Sequence, residues 1–106
     1  MEDRTRPNWA KQPVDVFETK VLERAQANVD LLLSKHRDYG PKNISLAPGG
    51  ALNGLRVRIH DKLARINNLI DSDDEPNYES LDDSFMDLAN YALIAQLVLK
   101  GDWPKE

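Results

Sequence analysis

The chain has 106 residues, a net charge of -4 and no cysteine, which is the size of one domain with a modest core. Its acidic balance, with a pI near 5.1, argues against a general nucleic-acid binder, because such proteins need a positive surface to meet phosphates. The lack of cysteine excludes a disulfide framework, a thiolate metal site and a cysteine nucleophile.

The N-terminus has no apolar core of a signal peptide, and no apolar run approaches the roughly 20 residues that a membrane-spanning helix needs. We therefore expect a single soluble, cytoplasmic domain over residues 1–106.

Residues 1–13 are predicted to form an irregular arm. The first helix should then begin at Asp15, which can cap it with Glu18 as capping-box partner, and end near Lys35 or His36.

A loop over residues 38–50 is predicted next, because its Gly-Pro pair stops a helix. Loops of this length in a small domain are usually functional or disordered. A second helix should cover about residues 51–70 and an acidic connector residues 71–79. Spacing of 3 and 4 residues gives the second helix one apolar stripe, formed by Leu52, Leu55, Ile59, Leu63, Ile66 and Ile70.

The third helix is predicted from an N-cap at Ser80 to about Lys100, and it is apolar on almost every side. Since no strand-like alternation occurs, the predicted fold is all-α, a small bundle of three main helices. The side of the third helix expected to pack inward carries Phe85, Leu88, Ala92, Ala95 and Leu99. The side expected to stay partly uncovered carries Tyr91, Ile94, Leu97 and Val98. Exposed patches of this kind usually mark an interface, so we predict a homo-oligomer, a dimer or tetramer, most simply with paired third helices.

Asp87 is the polar interruption of this oily helix, and Asn90 follows one turn later on the same side. A carboxylate among apolar neighbours loses its hydration, and a partner must compensate the free-energy cost of that loss. Two partners fit: a divalent ion, or an arginine or lysine of the second helix. Asp83, four residues earlier, is either a second oxygen ligand for Mg²⁺ or a capping-box acid paired with Ser80.

Two basic groups are candidate phosphate contacts. On the second helix, Arg58, Lys62 and Arg65 form one cationic row, which either cradles phosphates or is a solvated face. At the loop, Lys35 or Lys42 offers a charge for phosphate, and Tyr39 and Asn43 offer stacking and hydrogen bonding for a base. The other interpretation of this loop is a helix end whose basic residues offset the helix dipole.

Three segments together resemble a known family. They are the Asp-Tyr-Gly sequence at 38–40, the charged stretch from Arg58 to Arg65, and the D-x-x-x-D-L-A-N-Y sequence at 83–91. They are similar to the nucleotide modification associated domain type 1 family, and similar phage proteins are described as MazG-like nucleotide pyrophosphohydrolases. The resemblance covers about residues 15–103.

The resemblance implies an all-α fold related to the nucleoside triphosphate pyrophosphatases. It implies Mg²⁺-dependent cleavage of a nucleoside triphosphate to the monophosphate and pyrophosphate, in phage nucleotide metabolism and the host cytoplasm. By position, Asp83 and Asp87 would be the catalytic acids, and both would bind metal together with Asp61. The implied substrate contacts are Lys35, Tyr39, Asn43, Arg58, Lys62, Arg65, Asn90 and Tyr91. The alternative function is a non-catalytic helical module that binds a nucleotide or another protein.

Overall fold

The computed structural model describes residues 15–72, 75 and 77–105. This part of the chain is all-α and contains no strand, which confirms the predicted fold class. The predicted irregular arm over residues 1–13 lies outside the described residues. Three long helices and one short helix follow in the order α1 Val16–Tyr39, α2 Lys42–Ser45, α3 Ala51–Asp71 and α4 Tyr78–Lys100.

Two helix caps show how the chain sets its boundaries. Asp15 caps α1 as predicted, since its Oδ1 accepts a hydrogen bond of 2.7 Å from the Glu18 N–H. The start of α4 differs from the prediction, because Asn77 is the cap and its Oδ1 accepts from the Ser80 N–H at 3.0 Å. Asparagine is as good an N-cap as serine, so the cap lies three residues before the predicted one and the helix begins at Tyr78.

The segment predicted as one long loop is more ordered than expected. Helix α1 continues to Tyr39, and Gly40 ends it with φ 68° and ψ -172°, a conformation almost restricted to glycine. The N–H of Gly40 donates to the His36 carbonyl at 2.8 Å. Helix α2 follows after Pro41, so the chain turns sharply and places α2 next to the C-terminal end of α1.

Helices α3 and α4 make the main packing interface, and α1 packs on α4 more lightly. The buried centre consists of Ile44, Leu55 and Ile94, contributed by α2, α3 and α4. None of the described helices is both long and apolar enough to cross a bilayer. Half-buried residues that surround the centre are Leu32, Ala51, Tyr91, Ala95, Val98 and Trp103.

The buried side of α4 is not the predicted one. Ser84, Asn90 and Ile94 are buried, whereas Phe85, Ala92 and Leu99, predicted to face inward, are exposed. The buried polar groups have partners there: Asn90 Nδ2 donates to the Asn28 carbonyl of α1 at 3.0 Å, and Ser84 Oγ donates to the Ser80 carbonyl of its own helix at 2.8 Å. Because their hydrogen bonds are satisfied, these polar side chains are tolerated on the buried side of α4.

Other apolar side chains also remain uncovered in the single chain. On α3 only Leu55 and Ile66 of the predicted stripe are buried, while Leu52, Leu63 and Ile70 are exposed. Helix α1 has no buried residue, and Phe17 near its start is 75% exposed. Because α1 packs only lightly on α4, it does not cover all of these surfaces. The three α3 positions Leu52, Leu63 and Ile70, predicted to be in the core, therefore remain in contact with solvent.

Candidate functional site

A pocket of about 330 Å³ opens between α1, α2 and α4, a volume within the range of small-molecule sites. Helix α1 contributes one wall with its C-terminal turns, and α4 contributes the facing wall. The chain after α4 closes one side through Trp103. The lining residues are Leu32, Lys35, His36, Tyr39, Gly40, Asn43, Ile44, Arg58, Asp87, Asn90, Tyr91, Ile94 and Trp103.

Asp87 lies at the centre of the charged part of this pocket. Its Oδ1 is 2.8 Å from Lys35 Nζ of α1, and its Oδ2 is 3.0 Å from Lys62 Nζ of α3. The Asp87 side chain is 14% exposed and that of Lys35 is 49% exposed. Of the two partners that the sequence allowed, the structure shows the basic one, and it adds a second lysine from α1 that the sequence did not predict.

These contacts shift the titration of both groups. Burial raises the pKa of Asp87, but the hydrogen bonds and charges of Lys35 and Lys62 outweigh burial, so the net pKa is lowered from its usual 3.8. The hydrogen bond to Asp87 raises the pKa of Lys35 above its usual 10.5, against the opposing effect of burial. Asp87 and Lys35 are therefore both charged at neutral pH.

This ion pair should make stability depend on pH at both ends of the range. Because the folded pKa of Asp87 is depressed, its contribution is present above the unfolded value of 3.8 and is lost as the pH falls through the folded pKa. The contribution of Lys35 is present below 10.5 and is lost as the pH rises through its raised folded pKa. Urea midpoints measured across pH should show both losses, and Asp87→Asn should weaken both. A variant with the wild-type pH profile would contradict this assignment.

The predicted cationic row of the second helix is divided by the fold. Arg58 lines the pocket and its Nη2 donates to the Asn43 carbonyl at 3.2 Å, which ties α3 to α2. Lys62 is held on Asp87, beside the pocket and not in its wall. Arg65 is exposed and does not line the pocket. A spacing of 4 and 3 residues therefore predicted one shared helix face correctly, but not one shared site.

The predicted aromatic and amide contacts are brought together. Tyr39 and Asn43 lie on either side of the Gly40 turn, and Asn90 and Tyr91 face them from α4. Asn90 is buried, and its Nδ2 donates one hydrogen bond to the Asn28 carbonyl of α1. Six of the eight predicted substrate contacts thus line one pocket, namely Lys35, Tyr39, Asn43, Arg58, Asn90 and Tyr91.

Two lining residues, His36 and Trp103, were not among the predicted site residues. His36 has no nucleophile or second histidine at a spacing that suggests a partner, and Trp103 lies beyond the predicted end of the third helix. In the fold their rings meet edge to face with centroids 5.2 Å apart, and Trp103 Nε1 donates to the Pro41 carbonyl at 3.1 Å. The signal available in the sequence was a tryptophan just beyond the Gly101 helix stop, which allows the chain to fold back.

The predicted set of metal ligands is not gathered in this chain. Among the described residues no three histidine, cysteine or acidic side chains form a group that could hold a metal ion. Asp61 and Asp83 are exposed and do not line the pocket, and Asp87 is already held by two lysines. The residues present therefore do not fit a resident metal bound by Asp61, Asp83 and Asp87 together.

The fold and the pocket define a class: a small all-α protein whose described part contains a cavity lined by cations, aromatic rings and amides. Residues 35–99 match the model of the family called nucleotide modification associated domain 1, and the chain belongs to that family. No curated protein and no solved structure matches the chain significantly. The family's description associates it with nucleotide modification, and the matched range contains every lining residue except Leu32 and Trp103.

Proposed function

We propose that this pocket binds a nucleotide, with the phosphates at Lys35 and the base among the aromatic rings. The observation that carries the proposal is that a single cavity of about 330 Å³ gathers Lys35 and Arg58 with Tyr39 and Tyr91. Cations pair with phosphate oxygens, and flat rings stack on bases.

The phosphate end has a specific physical basis. Lys35 is half exposed and donates to Asp87 Oδ1 at 2.8 Å, so its ammonium group can also reach a ligand from the solvent side. A phosphate chain offers several charged oxygens to compete with a single carboxylate. Arg58 lies in the same lining and keeps its place through the Asn43 carbonyl.

We further propose that the bound nucleotide is a ribo- or deoxyribonucleoside triphosphate and that the chain releases pyrophosphate from it. The resemblance to the MazG-like pyrophosphohydrolases motivates this proposal, and Asp87 supports it as the one acidic side chain among the described lining residues. Magnesium in such sites is bound by few carboxylates together with phosphates and water. Since the described residues do not build a resident site, the Mg²⁺ in this proposal arrives as part of the Mg²⁺–nucleotide substrate.

The test is a panel of the common ribo- and deoxyribonucleoside triphosphates with Mg²⁺, assayed for pyrophosphate and for thermal stabilisation. A ligand at about 100 times its Kd adds about 2.7 kcal/mol to the free energy of unfolding, which is readily seen in the melting temperature. Pyrophosphate release supports the hydrolase. Stabilisation without release would leave the non-catalytic nucleotide-binding module. If the panel produces neither stabilisation nor pyrophosphate, both proposals are overturned.

We also propose that the chain forms a homodimer or homotetramer. The support for this proposal is no longer the face of α4 that was predicted to stay uncovered. It is now the exposed side chains of Phe85 and Leu99 on α4 and of Phe17 on α1. Burying such side chains is worth about 1.5–3 kcal/mol each, and large uncovered apolar surfaces usually mark interfaces. Light scattering at micromolar protein should give a mass of at least two chains. A mass of 12.0 kDa, that of one chain, would contradict the proposal.

A further inference from the structure

The chain after α4 is a structural part of the pocket. Gly101 ends α4 with φ 77° and ψ 16°, a left-handed conformation that suits glycine. This turn directs the following residues back, and Trp103 Nε1 then donates to the Pro41 carbonyl at 3.1 Å. Since Pro41 stands between α1 and α2, one hydrogen bond joins the end of the chain to the turn beside the pocket.

The indole is held on more than one side. It packs against the buried cluster of Ile44, Leu55 and Ile94, and the His36 ring meets it at 77° with centroids 5.2 Å apart. An edge-to-face pair of this kind fixes the orientation of both rings. Trp103 nevertheless remains only half buried and lines the cavity, so it is a pre-oriented aromatic surface and not a core residue.

His36 is left with an unused hydrogen-bonding group. Its Nδ1 is buried and has no hydrogen-bond partner among the described residues. Since Nδ1 is buried and His36 lines the cavity, a ligand that forms a hydrogen bond with this ring must do so through Nε2. A histidine nitrogen can donate or accept according to its tautomer, which suits recognition of the polar edge of a base.

We propose that Trp103 and His36 form the base-recognition end of this pocket, with the indole contacting the nucleobase and His36 selecting among bases through Nε2. This inference rests on the proposed nucleotide binding. The charged contact between Lys35 and Asp87 joins α1 to α4, whereas the His36–Trp103–Pro41 contacts join α1 to the end of the chain. Phosphates and base therefore have separate anchoring points in one cavity.

The first test uses the intrinsic fluorescence of the indole. The chain has two tryptophans, so Trp9→Phe makes Trp103 the sole reporter. Titration of this variant with each nucleoside triphosphate should quench the emission of Trp103, because a base stacks on an indole ring, while inorganic triphosphate should bind without that quenching. Calorimetry on the same samples measures binding independently of fluorescence.

The second test separates the base from the phosphates. Trp103→Leu should weaken nucleotide binding about 10-fold or more, the effect of losing one base-stacking contact, and leave the affinity for inorganic triphosphate unchanged. Trp103→Phe retains a ring and should restore most of the affinity, which covers the case in which the leucine variant does not fold. His36→Phe retains the ring contact and should reduce the differences in affinity among the bases.

The two proposals fail in different ways. Nucleotide binding seen by calorimetry with unchanged Trp103 emission, or with equal affinities for wild type and a folded Trp103→Leu protein, would overturn the base-recognition assignment and leave nucleotide binding intact. Unchanged base preference in His36→Phe would overturn the selecting function of that residue. If no nucleotide binds to the wild-type chain, the proposed function fails and this inference fails with it.

Discussion

Asp87→Asn should reduce pyrophosphate release from nucleoside triphosphates by about 100-fold or more, the usual cost of losing a charged group that acts directly on the reacting centre. Asparagine keeps the shape of the side chain and removes its charge. Asp87 is the one acid among the described lining residues, so within this part of the chain no other carboxylate can replace it at the substrate. The measurement is the steady-state rate of pyrophosphate release with the best nucleotide of the panel.

The same substitution also affects the fold, and the experiment must separate the two effects. Lys35 and Lys62 would lose their shared carboxylate, which should lower the free energy of unfolding by about 1–2 kcal/mol, as for other lost hydrogen bonds to charged groups. Circular dichroism and the urea midpoint will show whether the variant is folded at the assay temperature.

A matched control lies five residues earlier on α4. Asp82→Asn also removes a carboxylate from an ion pair, because Asp82 Oδ1 is 3.1 Å from Arg24 Nη2, but both side chains are more than half exposed and neither lines the main pocket. Asp82→Asn should keep the wild-type rate. Equal rates in wild type and a folded Asp87→Asn protein would remove Asp87 from the proposed chemistry.

Lys35→Met should weaken nucleotide binding by about 10- to 100-fold, because hydrogen bonds to charged groups are worth about 1.5–3 kcal/mol each. Methionine retains the apolar length of the side chain and removes the ammonium group. Since the lost contact is to phosphate, the salt dependence of the affinity should also become shallower. Calorimetry with a non-hydrolysable triphosphate at two salt concentrations measures both effects.

The control for Lys35 is on the same helix. Lys20→Met also removes an ammonium group from an ion pair, with Glu23 at 3.3 Å, at a fully solvated position of α1 away from the pocket. This variant should bind the nucleotide like the wild type. If Lys35→Met and Lys20→Met bind equally well, Lys35 is not a phosphate contact and its interaction with Asp87 is only structural.

Local signals in the sequence determined the secondary structure well. The Asp15 cap, the stop at Gly40 and the stop at Gly101 depend on a few neighbouring atoms of the same segment, so their effect can be read without knowing the fold. Two boundaries differ from the prediction. Helix α1 continues past His36 to Tyr39 before Gly40 stops it, and α4 begins after the Asn77 cap because two adequate capping residues lie close together. The all-α class follows from these local preferences.

The side of α4 that faces inward could not be derived in the same way. Periodicity alone places the apolar residues inside, and on that basis Phe85 and Leu99 were predicted to be buried. The structure buries Asn90 instead, because the Asn28 carbonyl of α1 accepts its hydrogen bond. Whether a polar side chain lies inside depends on the partner that it meets there, and that partner is 62 residues away in the chain.

The pocket likewise combines features that the sequence determines with features that only the tertiary structure decides. The sequence by itself determined the kinds of groups available, and side-chain chemistry together with the resemblance pointed to six residues that do line one cavity, Lys35 and Arg58 among them. Only the tertiary structure decided that Asp87 faces two lysines, that Asp61 and Asp83 stand apart from it, and that Trp103 returns to the site. Local structure is set by interactions within a few residues, whereas a site is set by contacts between segments far apart in the chain.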